Sequence, residues 1–241
     1  KIPPEQIDMK SCSYDPAADA IVLSDIGKSS FRRNEDGFDL FFERITRVKI
    51  LTEAGKKYAE VSIPFYYEGE ILEQVEVIKA STYTITNGSI SKITKLDPKS
   101  CYTENVSENW RIRKFAMPDV QPGSIIEYTY TIQSPYKFNL HDWEFQWDIP
   151  VLYSSYEVRM IPFYEYVFVV QGRKSLDEYK NYEDTQQLEQ HFGSMNYHDY
   201  VYKFGLKNLP AFADEEFIPS KSDYIIKIDF QLANIHTLQG V

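Results

Sequence analysis

The amino-acid sequence predicts an all-β fold, an antiparallel β-sandwich with one or two short helices, and three observations lead there. Apolar and polar residues alternate with period two in segment after segment, as in strands buried on one face. Turn signals punctuate those segments roughly every dozen residues, without the helix-and-strand alternation of a parallel sheet. Aromatic residues are abundant, nineteen Tyr and fifteen Phe against ten Gly, and flat rings pack well on half-buried pleated surfaces.

The elements follow in chain order. "RVKIL" (47–51) and "YAEVSIPF" (58–65) read as strands joined through "TEAGKK" (52–57). In "TNGS" (86–89), Asn87 and Gly88 stand where a type I′ turn needs two positive φ angles, and in "QPGS" (121–124), Pro122 and Gly123 suit the centre of a type II turn. All three links are read as hairpins. "SIIEYTYTI" (124–132) sets Ile126, Tyr128, Tyr130 and Ile132 on one face and Glu127, Thr129 and Thr131 on the other. "HDWEFQWDI" (141–149) reads as one strand, with Trp143, Phe145, Trp147 and Ile149 inward and Asp142, Glu144, Gln146 and Asp148 outward. The polar stretch 173–195 is poor in β-branched residues and offers Ser175 as an N-cap with Glu178 three positions on, so helix is expected there. "YIIKIDF" (224–230) is a last strand, with Tyr224, Ile226, Ile228 and Phe230 on its buried face. Residues 1–30 are read as an N-terminal segment, 31–235 as the sandwich, and 236–241 as the start of a linker.

Composition narrows the function. A formal charge of −10 with dispersed basic residues argues against nucleic acid and against an anionic membrane surface, both of which need a basic patch. The longest apolar runs, such as "YVFVV" (166–170), are too short to span a bilayer as a helix. The first residues, "KIPPEQ", read as a mature or trimmed N-terminus. Cys12 and Cys101 permit one disulfide or two separate thiols, and the four histidines, at 141, 191, 198 and 236, are scattered. Neither "DPAAD" (15–19) nor "ADEEF" (213–217) carries the glycine and terminal glutamate of a Ca²⁺ loop. No cofactor, metal or catalytic set is expected. The residues singled out for interaction are Asp142, Trp143, Glu144, Trp147, Asp148 and Glu127. Their core-facing reading makes the tryptophans scaffold, while the alternative makes 142–148 a glycan platform with carboxylates beside it.

Four segments carry a family resemblance: "RVKILTEAG" (47–55), "FAMPDVQPGSIIEYTYTIQSP" (115–135), "DWEFQWDIPVLYSSYEVRMIP" (142–162) and "NLPAFADEEFIPSKSDYIIKIDFQL" (208–232). With the "PGSIIEY" turn and strand, the Trp143, Gln146, Pro150 spacing and the Pro210 to Glu215 stretch, they resemble the domain-of-unknown-function family DUF3857. That family precedes a transglutaminase-like domain in exported bacterial proteins. The resemblance implies an all-β fold, a periplasmic or cell-surface location, and a non-catalytic accessory role that packs against or presents substrate to the downstream enzyme domain. In the family the catalytic Cys, His and Asp belong to that downstream domain, so none is carried over here. The partner it implies is that domain; apart from the resemblance, a protein or glycan ligand is the other partner expected.

Overall fold

The computed structural model describes residues 2–35, 37–69, 71–138, 140–172, 175–212 and 224–236. A single helical turn, α1 (Pro4–Asp8), precedes the strands β1 (Ala20–Asn34), β2 (Gly37–Ile50), β3 (Glu60–Glu68), β4 (Ile71–Leu72), β5 (Gln74–Thr86), β6 (Ser89–Lys95), β7 (Tyr102–Asn105), β8 (Trp110–Ala116) and β9 (Ile125–Ser134). There follow β10 (Trp143–Glu144), β11 (Val151–Met160), β12 (Tyr164–Gln171), β13 (Glu178–Glu183), β14 (Gln190–Phe192), β15 (Met195–Tyr197), β16 (Tyr200–Leu209) and β17 (Lys227–Ile235). Short 3₁₀ turns cover Ala54–Ala59 and Pro98–Ser100.

An eight-stranded sheet in the order β13-β16-β11-β1-β2-β9-β5-β6 forms one layer. A three-stranded sheet, β10-β17-β12, and a four-stranded sheet, β4-β3-β8-β7, pack on its inner face. The period-two pattern explains why. On β9 the residues Ile126, Tyr128, Tyr130 and Ile132 are buried while Glu127, Thr129 and Thr131 are only partly covered, as the alternation requires. Phe115 of β8 meets Tyr128 edge-on with ring centroids 6.1 Å apart, and Phe168 of β12 meets Phe204 of β16 at 5.2 Å. The outer face is covered in part by the N-terminal segment, whose Ile2 and Cys12 join Ile21, Leu23 and Ile125 in a second apolar layer.

The all-β reading holds, and the "TNGS" turn forms as read: Asn87 and Gly88 have φ of 53° and 72° and join β5 to β6. Four expectations are corrected. The large sheet is mixed rather than wholly antiparallel, because β1 pairs with β11 in parallel register from Val22 opposite Val151 to Ser29 opposite Val158. A parallel neighbour needs a long connection, and here everything from β2 to β10 supplies it. "TEAGKK" and "QPGS" are not hairpins: each carries the chain between the large sheet and the four-stranded one. Gly123 does adopt the positive φ, 89°, of the expected type II turn.

The region 175–195 holds β13, β14 and the start of β15, joined by turns, and no helix among its described residues. Its polar residues lie in an edge strand open to water on both faces, so the backbone ladder to β16 and the Tyr179–Phe204 ring contact at 5.6 Å outweigh helix propensity. Arg173 and Lys174 lie outside the described residues. β17 begins at Lys227, and Tyr224 is 54% exposed rather than inward-facing. The boundary drawn at residue 30 falls inside β1, a central strand of the sheet. Of the proposed linker only His236 is described, and its N–H bonds the Phe163 carbonyl. Both cysteines are free thiols, Cys12 in the outer apolar layer and Cys101 against the inner one.

Candidate functional site

The segment 141–149 is not one strand. Only Trp143 and Glu144 pair, with Ile228 and Lys227 of β17, before the chain turns away. Its apolar half still goes inward: Trp143 is 1% exposed, Phe145 0% and Ile149 3%. Trp143 stacks on Tyr156 at 5.1 Å with a 10° interplanar angle, and its indole N–H donates to Ser154 Oγ at 3.0 Å. It lies directly over Gly27, where a Cβ would overlap the indole ring, so β1 needs glycine at that point. Gln146, expected outside, is buried, and donates through Nε2 to the Pro210 carbonyl at 3.1 Å. The Trp147 carbonyl accepts from Phe212 N at 2.7 Å, so the 142–150 and 208–212 stretches meet in space. Residues 213–223, including Glu215, lie outside the described residues.

Trp147 is only partly buried, a correction to its reading as core, because its indole N–H turns to Asp25 Oδ2 at 3.0 Å. Asp25 is fully buried on β1 and accepts from Arg44 Nε at 2.9 Å, Arg44 Nη2 at 2.6 Å and Thr46 Oγ1 at 2.8 Å. Arg44 lies over Trp143 at 4.8 Å and over Trp147 at 5.6 Å. Burial opposes its charge, but Asp25 outweighs that and holds its pKa well above the ordinary value. Burial also raises the Tyr128 and Tyr130 phenols beside it, keeping both protonated.

This group is the floor of a cleft of about 490 Å³ between β3 and the 142–148 segment. Asp142, Glu144, Asp148 and Glu60 line it with Lys57 and Tyr58, and a smaller cavity of about 250 Å³ continues it through Arg44, Tyr130 and Asp142. The Tyr58 hydroxyl donates to Asp148 Oδ2 at 3.0 Å, tying the two walls together. Asp142 faces solvent, yet it is covered enough that burial raises its carboxyl pKa, opposed by the N–H of Phe230, which donates to Oδ1 at 2.8 Å.

Five of the six predicted interaction residues thus share one cleft, although Trp143 contributes only from below. Glu127 is elsewhere, on the outer face, paired with Arg47. Asp25 and Arg44 were missed: Arg44 is a charge in phase with Leu40, Phe42 and Val48 on β2, a signal the sequence carries, whereas a bulge between Val22 and Ser24 shifts the phase of Asp25 on β1. Among the described residues no group of three His, Cys, Asp or Glu side chains is placed to hold a metal ion, and no helix is long and apolar enough to cross a membrane.

A sequence model of the family described as a Domain of Unknown Function with solved-structure structure, DUF3857, matches residues 42–212. The chain belongs to the DUF3857 family. No curated protein matches this DUF3857 chain in sequence. Among solved structures, it is similar to a "putative protease" from Parabacteroides distasonis at 12% identity and a TM-score of 0.66, over 89% of this chain and 40% of that one. The DUF3857 chain therefore spans well under half of that protein, and the likeness is one of fold. A "putative nutrient binding protein" from Legionella pneumophila aligns at 9% identity and a TM-score of 0.38, over 88% of this chain and 67% of that one.

Proposed function

We propose that this DUF3857 domain is a non-catalytic accessory module of an exported, periplasmic or cell-surface protein. Its cleft above Arg44 holds polypeptide against, or presents it to, a transglutaminase-like domain of the same chain. The observation that supports this best is the division within 142–148. Trp143 and Phe145 anchor the segment in the core while Asp142, Glu144 and Asp148 stand along an open cleft. That arrangement presents hydrogen-bond acceptors from a rigid base, which suits recognition. A glycan platform needs solvent-facing rings, whereas Trp143 is buried and Trp147 is tied to Asp25 and faces Arg44. Burial raises the pKa of Cys101, which favours its unreactive thiol form. The solved structure that shares the fold carries the name of a protease and is more than twice as long.

The test has two parts. The reading frame past Val241 is expected to encode a domain with a Cys, His and Asp constellation, and the chain 1–241 alone is expected to turn over no peptide, amide or glycoside. A continuation without such a domain overturns the accessory role. So does turnover by the isolated chain that disappears in Cys101→Ala or Glu144→Gln. A folded Trp147→Ala protein that loses glycan-array binding would give the cleft to glycans instead.

A further inference from the structure

The outer face of the large sheet carries a second buried cation, unrelated to the cleft. Lys49 lies on β2 between Ile21 of β1 and Ile125 of β9, both 0% exposed, and is itself 2% exposed. It interrupts a layer otherwise built from Ile2, Cys12, Ile21, Leu23 and Ile125. Its ammonium has three N–H donors, and one of them bonds the Ile7 carbonyl at 2.9 Å. No carboxylate of a described residue forms an ion pair with it. A buried ammonium whose one hydrogen-bond partner is a carbonyl, with the exposed Asp8 carboxylate acting on it only through space, is costly, because such charges are normally paired directly.

Lys49 also lines a cavity of about 770 Å³ beside the N-terminal segment, within the roughly 300–1,000 Å³ range of small-molecule sites. Ile7, Met9, Leu51 and Ile85 give that cavity an apolar wall. The other charges lining it are Asp8 and Lys10, both exposed, so the three sum to one positive charge. One net positive charge beside an apolar wall suits a singly charged anion with an apolar body, and Asp8 disfavours a phosphate of higher charge.

We propose that this cavity binds an apolar monocarboxylate, its carboxylate pairing with Lys49 and its chain lying on Ile7, Met9, Leu51 and Ile85. A bound carboxylate supplies the directly bonded anion that no described residue gives Lys49. Burial already pulls the Lys49 pKa below its ordinary value, with Asp8 pulling it back, so the amine gains from an added anion.

Two sources share this chemistry, a free medium-chain fatty acid and the C-terminus of a peptide ending in an apolar residue. Calorimetric titration of the whole chain with octanoate beside octanol, and with an N-acetylated peptide ending in leucine beside its amide, separates them. At least one carboxylate is expected to bind about tenfold tighter than its uncharged counterpart, the scale of one charge-assisted hydrogen bond, and the one that does names the source. Lys49→Met should erase that preference while keeping the thermal transition. In the wild type, amide shifts induced by the preferred carboxylate should cluster at Ile21, Leu51 and Ile125, a readout that does not depend on the variant folding. The site is overturned if neither carboxylate outbinds its counterpart, if the preference survives in Lys49→Met, or if the shifts fall elsewhere.

Discussion

Arg44 and Lys49 sit on the same strand, on opposite faces of the same sheet, and both are largely withdrawn from water, yet the fold treats them differently. Arg44 has a buried carboxylate gripping it through two nitrogens, two tryptophan rings close by, and a threonine and an indole completing the carboxylate's partners. Lys49 has one backbone carbonyl. The planar guanidinium can be locked by a matching fork, whereas a lysine ammonium is a mobile point charge on an apolar stem. The first arrangement is complete and makes the cleft floor rigid. The second is unfinished, and its stability answers to pH and to anions.

Breaking the completed pair gives the largest effect. Asp25→Ala leaves the Arg44 charge buried without its partner and should cost about 3–5 kcal/mol in chemical denaturation; a loss under about 1 kcal/mol would mean that Arg44 swings out to water. Next comes the surface beneath it. Gly27→Ala pushes a methyl group into the Trp143 ring, and overpacking of this kind should cost about 1–3 kcal/mol and alter the tryptophan fluorescence.

Lys49→Met should be neutral or stabilising by up to about 1 kcal/mol, because an unpaired buried charge gives way to an apolar side chain of similar length. Its pH signature sharpens the contrast. The folded-state pKa of Lys49 lies below 10.5, so above it the unfolded chain binds the extra proton and wild-type stability rises with pH toward that value. Taken as the difference between wild type and Lys49→Met, which share every tyrosine, this rise should be absent from the variant. Smallest is Glu144→Gln, an exposed position on the cleft rim, which should move stability by no more than about 0.5 kcal/mol.

The two cations also mark how far the sequence could be read. Strands such as β9 were legible because one face is buried, and alternation then dictates which residues go in. The burial of Trp143 and Phe145 followed from the same rule, although the strand they were assigned to is only two residues long. The rule fails where neither face is covered, so β13, with exposed Tyr179 and Tyr182, passed for helix. It says nothing of sheet order, which is why the parallel pairing of β1 and the crossover role of "TEAGKK" were hidden. Asp25 and Arg44 lay on inward phases of two strands whose adjacency local pattern does not encode.

The pairing of β1 with β11 has a consequence in time. Among the described residues it is the seam that joins the β1-β2-β9-β5-β6 part of the large sheet to the β11-β16-β13 part, and its partners are about 130 residues apart in the chain. At roughly 5–20 residues per second of synthesis, β1 can zip to β2 almost at once but waits on the order of ten seconds for β11 to be made. Until then one flank of β1 is an open edge, the kind of surface that recruits strange strands. Refolding should repeat that order, with pulse-labelled exchange protecting the β1–β2 amides before the β1–β11 ones; simultaneous protection would show that the seam nucleates the sheet instead of closing it.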